Sequence, residues 1–132
     1  MEKGFVDTGP WFEFALNADK KRYQSTSALL TDTRYHWYSS TYVFDELMTL
    51  LVSKANKKKA LLFGEKIRSS QMITWLHPSS EIEQECWETF KSYDDKEWSY
   101  TDCMSLLLIK KHKISLIHSY DHHFSQMGLK LI

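Results

Sequence analysis

The chain has 132 residues and a formal net charge of zero, with 42% hydrophobic and 26% charged residues. This composition is typical of a globular protein, and the length allows one domain to bury a core without disulfides or structural metals. Zero net charge argues against a protein whose whole surface binds nucleic acid. Basic runs such as 57–59 are either the solvated faces of helices or a local basic patch. No apolar run approaches the ~20 residues of a membrane span, and no signal-peptide pattern is present. Two widely spaced cysteines fit a reducing compartment. We therefore expect a single cytoplasmic domain over 1–132.

Short apolar strands alternate with amphipathic helices along the chain, beginning with a strand at 4–6 and a helix that Gly9-Pro10 starts. This alternation predicts parallel β-α units and hence an α/β fold, a three-layer α/β/α sandwich with a central, mostly parallel sheet. In such sheets ligands bind beyond the carboxyl ends of the strands, where the strand order reverses. The predicted strands are 4–6, 35–40, 72–76, 114–118 and 129–132, and the predicted helices are 9–16, 20–33, 43–51, 58–69, 78–90, 99–112 and 122–127.

Two aspartates follow predicted strands. Asp7 comes directly after the first strand, and Asp121 follows the strand 114–118 after Ser119 and Tyr120. Both positions lie where the ligand site of a parallel sheet is expected. An aspartate there also caps the helix that follows, and capping alone is the better explanation of Asp121 when that residue is taken by itself.

Two further acids lie on helix faces that also carry apolar side chains. Glu46 has apolar residues three and four positions away along its helix, whereas its neighbour Asp45 is rotated about 100° from that face. Asp102 begins the inward-facing stripe of the helix 99–112, and with Ser99 it also matches a capping box. A cap and a role in a site are compatible, because the helix dipole helps to keep the acid ionised.

Together the four acids predict a metal site. Four clustered carboxylates repel one another, and some would take up protons unless a cation neutralises them. Oxygen ligands alone select hard ions such as Mg²⁺ or Mn²⁺ rather than zinc. The sequence has no glycine-rich phosphate loop, so an acidic pocket loaded with magnesium points to hydrolysis of phosphodiester bonds.

The order and context of these acids resemble the PIN-domain nucleases. The matching stretches are "FVDTG" with Asp7, "FDELMTLL" with Glu46, "WSYTDCMSLLLIKK" with Asp102 and "SYDHHFSQMG" with Asp121, and they span 5–128. PIN domains of this size are similar to the VapC-like toxins of toxin–antitoxin pairs. The resemblance implies that the four acids bind Mg²⁺ or Mn²⁺ and cut RNA, leaving 5′-phosphate and 3′-hydroxyl ends.

The resemblance also implies supporting residues and partners. Thr8 and Ser105 fall near polar positions that support the acid cluster in the family, and Ser119 stands where many relatives have threonine. His123 stands where some relatives carry a further acid, so this chain departs from their pattern there. The expected partners are an RNA substrate, an antitoxin that blocks the site and a second copy of the chain, with no membrane involved.

Other chemistries explain the residues less well. The histidines 112, 118, 122 and 123, with Cys103, lack the spacing of a zinc finger or of a two-histidine helix motif. No base that could activate the Cys103 thiol is identifiable in the sequence, so we interpret Cys103 as a buried cysteine. Receiver domains of signalling proteins also place acids at strand ends, but they pair two acids near the N-terminus and use a late lysine. A PIN-fold RNA-processing nuclease and a non-catalytic module that binds RNA or a partner remain alternatives.

Aromatic and acidic side chains outside the four motifs carry three smaller expectations. Trp11 is either a core residue or a platform on which an RNA base stacks. The apolar side chains of Phe12, Phe14 and Leu16 are expected to be exposed and to bind the antitoxin. The aspartates at 94–95 lie in a polar break, where they are solvated or hold a water near the metal.

Overall fold

A computed structural model describes residues 1–94 and 97–132, in which five strands form one sheet. The strands pair in the order β3-β2-β1-β4-β5, and every pairing is parallel. The predicted α/β class with a parallel central sheet is therefore confirmed. The strands are β1 (Glu2–Val6), β2 (Tyr35–Ser40), β3 (Ile73–Leu76), β4 (Leu116–His118) and β5 (Lys130–Leu131).

The helices agree with the predicted ones to within a few residues. The second helix ends earlier than predicted because the Thr31 hydroxyl bonds back to the carbonyl of Ser27 and the chain then turns. None of the helices in the described part of the chain combines the length and apolar character needed to cross a membrane. They are α1 (Thr8–Leu16), α2 (Lys20–Leu30), α3 (Thr41–Lys54), α4 (Lys57–Arg68), α5 (Ser80–Ser92), α6 (Tyr100–Lys111) and α7 (His123–Gln126).

The connections between strands place helices on both faces of the sheet. The chain moves outward from β1 through β2 to β3, then returns to β4 and continues in the opposite direction to β5. Because such crossovers are right-handed, the outward and the return connections leave the sheet on opposite faces, and α3 contacts α6 as well as α1 and α4. The order reverses between β1 and β4, so the crevice at this switch point lies beyond the carboxyl ends of those two strands.

The centre of the sheet is packed tightly around Gly4 of β1. The indole of Trp37 lies over this glycine from the neighbouring strand β2, and Leu116 approaches it from β4. A Cβ atom added at Gly4 would lie 2.7 Å from Trp37 Cε3 and 2.8 Å from Leu116 Cδ1. The glycine thus allows a tryptophan to fill the middle of the core.

Replacing Gly4 with alanine is expected to lower the free energy of unfolding by about 2 kcal/mol, because overpacking forces the indole and the neighbouring strand apart. Urea denaturation followed by tryptophan fluorescence measures the change. Gly9→Ala is the matched control, since a Cβ there makes an ordinary 3.4 Å contact with Tyr120. Equal midpoints for the two variants would contradict the packing described for Gly4.

Candidate active site

Asp7 lies at the switch point, one residue beyond β1. Its N–H donates to the carbonyl of His118 at 3.0 Å, and its Oδ2 accepts the hydroxyl of Ser119 at 2.8 Å. The residue is only 7% exposed. Burial, together with the negative charges of Asp102 and Glu46, raises the pKa of the Asp7 carboxyl to about 7, against the opposing hydrogen bonds from Ser119 and the Thr8 backbone. This acid is therefore held in a place that disfavours its ionised form.

Asp102 combines the two roles that its sequence context predicts. Its N–H donates to Ser99 Oγ at 3.0 Å and its Oδ2 accepts the Ser99 N–H at 3.1 Å, so the capping box is present. Burial nevertheless raises the pKa of Asp102, as do the charges of Asp121 and Glu46, against the lowering effect of the Ser99 bonds. The cap therefore fixes a partly buried acid within electrostatic reach of the other three.

Glu46 lies half-buried on α3, whereas Asp45 is exposed, as the helical periodicity predicts. The Glu46 charge acts on both Asp7 and Asp102, which lie on different elements. The fold thus brings the acids of α3, α6 and the end of β1 within electrostatic reach of one another.

Asp121 is held by a local network that the sequence indicates only in part. Its N–H donates to Ser119 Oγ at 3.0 Å, so one serine hydroxyl links Asp121 to Asp7. Its Oδ1 accepts the N–H of His123 at 2.9 Å and lies 2.6 Å from His123 Nδ1. Asp121 therefore bonds the first residue of α7, although the N-cap of that helix is His122 rather than Asp121, and it also lies at the crevice.

The donor set suits an oxygen-preferring divalent cation. Two hydroxyls beside the acids, Thr8 Oγ1 and Ser105 Oγ, are buried and have no hydrogen-bond partner among the described residues. Unpaired buried hydroxyls next to a desolvated carboxylate fit a site completed by a cation and its waters. Over 1–94 and 97–132, however, no three acidic, histidine or cysteine side chains converge closely enough to hold one ion. Mg²⁺ in proteins is commonly bound by only one or two carboxylates and keeps several of its waters.

An open cleft of about 550 Å³ leads to Asp7 and Asp121. Its wall includes Glu97, whose Oε2 lies 2.7 Å from His123 Nε2. Sequence reasoning missed Glu97, because its polar segment reads as solvated and its partner is 26 positions away. Asp94 is exposed, as predicted, and Asp95 lies outside the described residues. The remaining cleft residues are Gly9, Tyr120, His122 and Gln126.

The core interpretation of Trp11 is confirmed, because the residue is 1% exposed and its indole N–H donates to Ser39 Oγ at 3.3 Å, so it is not a platform for an RNA base. The expected exposure of three apolar side chains of α1 is wrong. Phe12, Phe14 and Leu16 are half-buried against the core rather than exposed. The expectation fails because α1 packs against α2 and α3, which covers a face that the local pattern leaves open.

Buried His118 and Cys103 have roles in packing. The ring nitrogens of His118 lie 2.8 Å from Thr26 Oγ1 and 2.7 Å from the carbonyl oxygen of Ile132, so protein atoms occupy both. Burial lowers the pKa of His118, which fits a neutral ring. Cys103 is fully buried, and burial raises the pKa of its thiol to about 11.

A parallel α/β sheet with acids at its switch point defines a class of proteins that act on a ligand at that edge. The sequence profile of the PIN domain matches residues 4–130. A VapC ribonuclease of Archaeoglobus fulgidus is 31% identical over 91% of this chain and 78% of its own length. The chain therefore belongs to the PIN domain family, among the VapC ribonucleases.

Two further comparisons agree with this membership. The 23S rRNA-specific endonuclease VapC20 of Mycobacterium tuberculosis is 27% identical over 94% of this chain and 93% of its own. Its crystal structure, described as a sarcin-ricin loop cleaving toxin, superposes with a TM-score of 0.83 over 96% of this chain and 95% of that one, at 24% identity. VapBC2 of Rickettsia felis, solved with a DNA fragment from its promoter, shares the fold at 11% identity, with a TM-score of 0.71 over 98% and 97% of the two chains.

Proposed function

We propose that this chain is an endoribonuclease that depends on Mg²⁺ or Mn²⁺ and serves as the toxin of a toxin–antitoxin pair. The observation that carries the proposal is Asp7, a buried carboxylate at the switch point whose charged neighbours Asp102 and Glu46 are also negative. Such a group is stable in its ionised form when a cation accompanies it. Relatives named as ribonucleases support RNA as the substrate.

The four acids have distinct proposed roles. Asp7, Asp102 and Asp121 hold the cation directly or through water, and Glu46 is both a ligand and the acceptor that orients the attacking water. A bound cation would neutralise the scissile phosphate and acidify that water. Ser119 keeps Asp7 and Asp121 in register through its two hydrogen bonds. Thr8 and Ser105 contribute the unpaired hydroxyls described above.

An antitoxin partner follows from the same proposal, supported by the VapBC2 assembly. We assign the antitoxin to an apolar groove of about 300 Å³ in which Phe14 of α1 faces Tyr23 of α2 and Ile67 of α4. The domain over 1–132 acts as a homodimer in the cytoplasm, where its RNA substrate is found.

The chemistry of the cut ends tests this function. Purified protein is incubated with a mixed RNA pool in Mg²⁺, and the ends are labelled enzymatically. Metal-dependent hydrolysis is expected to leave 5′-phosphates and 3′-hydroxyls, because water attacks the phosphorus while the P–O3′ bond breaks and the 3′ oxygen leaves as a hydroxyl. Cyclic 2′,3′-phosphates that persist in EDTA would instead assign the cleavage to acid–base catalysis by the cleft histidines and overturn the proposal.

One alternative function has a specific observation in its favour. The described acids do not converge on one ion, as they stand, which suits a module that binds RNA or an antitoxin without cutting. Asp7→Asn separates the two. A binding module keeps its affinity and shows no cleavage with or without the substitution, whereas a nuclease loses its cleavage.

Replacing His123 with alanine is expected to lower kcat about tenfold and leave KM nearly unchanged. The ring fixes Asp121 through Nδ1 and is fixed in turn by Glu97, so its loss lets the carboxylate turn away from the crevice. His36→Ala is the control, because that ring bonds Thr74 Oγ1 on the sheet away from the crevice. An unchanged kcat in His123→Ala would show that Asp121 needs no such support.

A further inference from the structure

We infer that Arg22 binds a phosphate group of the RNA at the rim of the acidic cleft. The inference rests on the proposed ribonuclease function, and it assigns the substrate a binding residue on α2, outside the four acidic motifs. Arg22 becomes a positioning residue, because it holds the RNA strand while the acids act on a neighbouring phosphate.

Arg22 is held beside the cleft through Tyr120. The guanidinium carbon lies 4.2 Å from the centre of the Tyr120 ring, a distance typical of a stacked cation–π pair. Tyr120 lines the cleft and directly precedes Asp121. One turn further along α2, Thr26 contacts His118 at the end of β4, so α2 is anchored along this edge. One aromatic side chain thus separates the positive charge from the acids.

Charge is the reason that the site needs this residue. The cleft wall carries the acids Asp7, Glu97 and Asp121, and an RNA strand brings a further negative charge with every phosphate. The chain has zero net charge, so no general positive field offsets this repulsion. A cation at the rim attracts the backbone locally, and a planar guanidinium is well suited to phosphate oxygens.

The present partner of Arg22 is weak enough to be replaced. Glu13 Oε1 lies 3.4 Å from Arg22 Nη1, and the Arg22 side chain is 46% exposed. An ion pair of this length and exposure contributes little to stability. The first turn of α2 also carries Lys20 and Lys21 and no acid beyond the N-cap Asp19, and the helix dipole disfavours cations at this end. Stabilisation of α2 is therefore not the reason for the cluster of positive side chains in its first turn.

Arg34 provides a matched control for Arg22. It is also an exposed arginine that pairs with an acid, Asp32 at 2.7 Å, and lies over a tyrosine, Tyr35 at 5.7 Å. It precedes β2, so it lies at the amino ends of the strands, opposite the cleft. Loss of either arginine removes the same charge and the same kind of contacts.

The test uses two assays on full-length protein. Cleavage of a mixed RNA pool in Mg²⁺ gives kcat and KM, and a fluorescein-labelled random-sequence oligoribonucleotide gives Kd in an Asp102→Asn background, where the RNA stays intact. Arg22→Gln is expected to raise KM and Kd about fivefold or more, with kcat within twofold. The slope of log Kd against log salt should fall by about 0.7, the contribution of one phosphate contact in a single strand. Arg34→Gln should leave all of these values unchanged.

A second variant predicts the opposite change. Glu13→Gln removes the acid that competes for the guanidinium, so it should lower Kd about twofold to threefold. If Arg22→Gln fails to fold, the Kd of Glu13→Gln tests the assignment of Arg22 instead. Arg22→Lys should retain the salt slope, because it keeps the charge.

The outcomes separate the two proposals. If the parent protein does not cut RNA, the proposed function fails, while the Kd values still measure the role of Arg22. If the parent cuts and folded Arg22→Gln keeps the parental KM, Kd and salt slope, the assignment of Arg22 is overturned. The same holds if Glu13→Gln leaves Kd unchanged.

Discussion

Asp7→Asn is expected to reduce metal-dependent RNA cleavage at least about a thousandfold, equivalent to about 4 kcal/mol in the activation barrier. Asparagine preserves the shape of the side chain and can accept the Ser119 hydroxyl, so the fold around β1 and β4 is retained. What is lost is the negative charge at the most buried acid of the site. Initial rates of cleavage in saturating Mg²⁺, with circular dichroism to check the fold, measure the effect.

The control for this charge change is Asp45→Asn, which removes the same charge from the exposed face of α3, next to Glu46. It should cut RNA at the parental rate. Near-parental activity of Asp7→Asn would remove Asp7 from the catalytic site, and equal losses in the two variants would assign the effect to overall charge.

The same Asp7→Asn substitution should stabilise the metal-free protein at pH 8. The folded pKa of Asp7 is about 7, against an ordinary value of 3.8, so the folded state binds more protons than the unfolded state between these values. The free energy of unfolding due to this group therefore falls as pH rises from about 4 to about 7 and stays low above it. The asparagine variant escapes this cost, which is at most of the order of 4 kcal/mol.

Urea denaturation in EDTA at pH 4.5 and pH 8, for the parent and Asp7→Asn, tests the sign. The variant should be more stable at pH 8, and the difference should fall to about a quarter of that value at pH 4.5, because the unfolded carboxyl is still largely ionised there. Added Mn²⁺ should stabilise the parent and not the variant, because the ion binds the folded site. A variant less stable than the parent at pH 8 would mean that Asp7 is ionised at little cost in the free protein.

Much of the fold and the position of the acids could be predicted because they depend on local patterns. Helical periodicity distinguishes Glu46 from Asp45, and the capping box identifies the start of α6. Asp7 is identified by its position directly after a buried strand. Each of these signals lies within a few residues of the side chain concerned.

Features that depend on distant segments could not be predicted in this way. The pair of Glu97 and His123 joins a turn to the first residue of α7, and Arg22 and Tyr120, which are in contact, lie 98 positions apart in the sequence. The burial of Trp11 depends on ring contacts with Phe63 and Trp75, which follow from the packing of α4 and β3. The catalytic roles of the four acids remain predictions that these contacts support.

The most direct test of the metal-dependent nuclease is the cleavage of one mixed RNA pool by the parent and by Asp102→Asn, in Mg²⁺, in Mn²⁺ and in EDTA. We expect the parent to cut in either metal and not in EDTA, and the variant to cut in none of the three. Cleavage by the parent in EDTA, or cleavage by Asp102→Asn at the parental rate in Mg²⁺, would contradict the assignment of the four acids to a catalytic metal site.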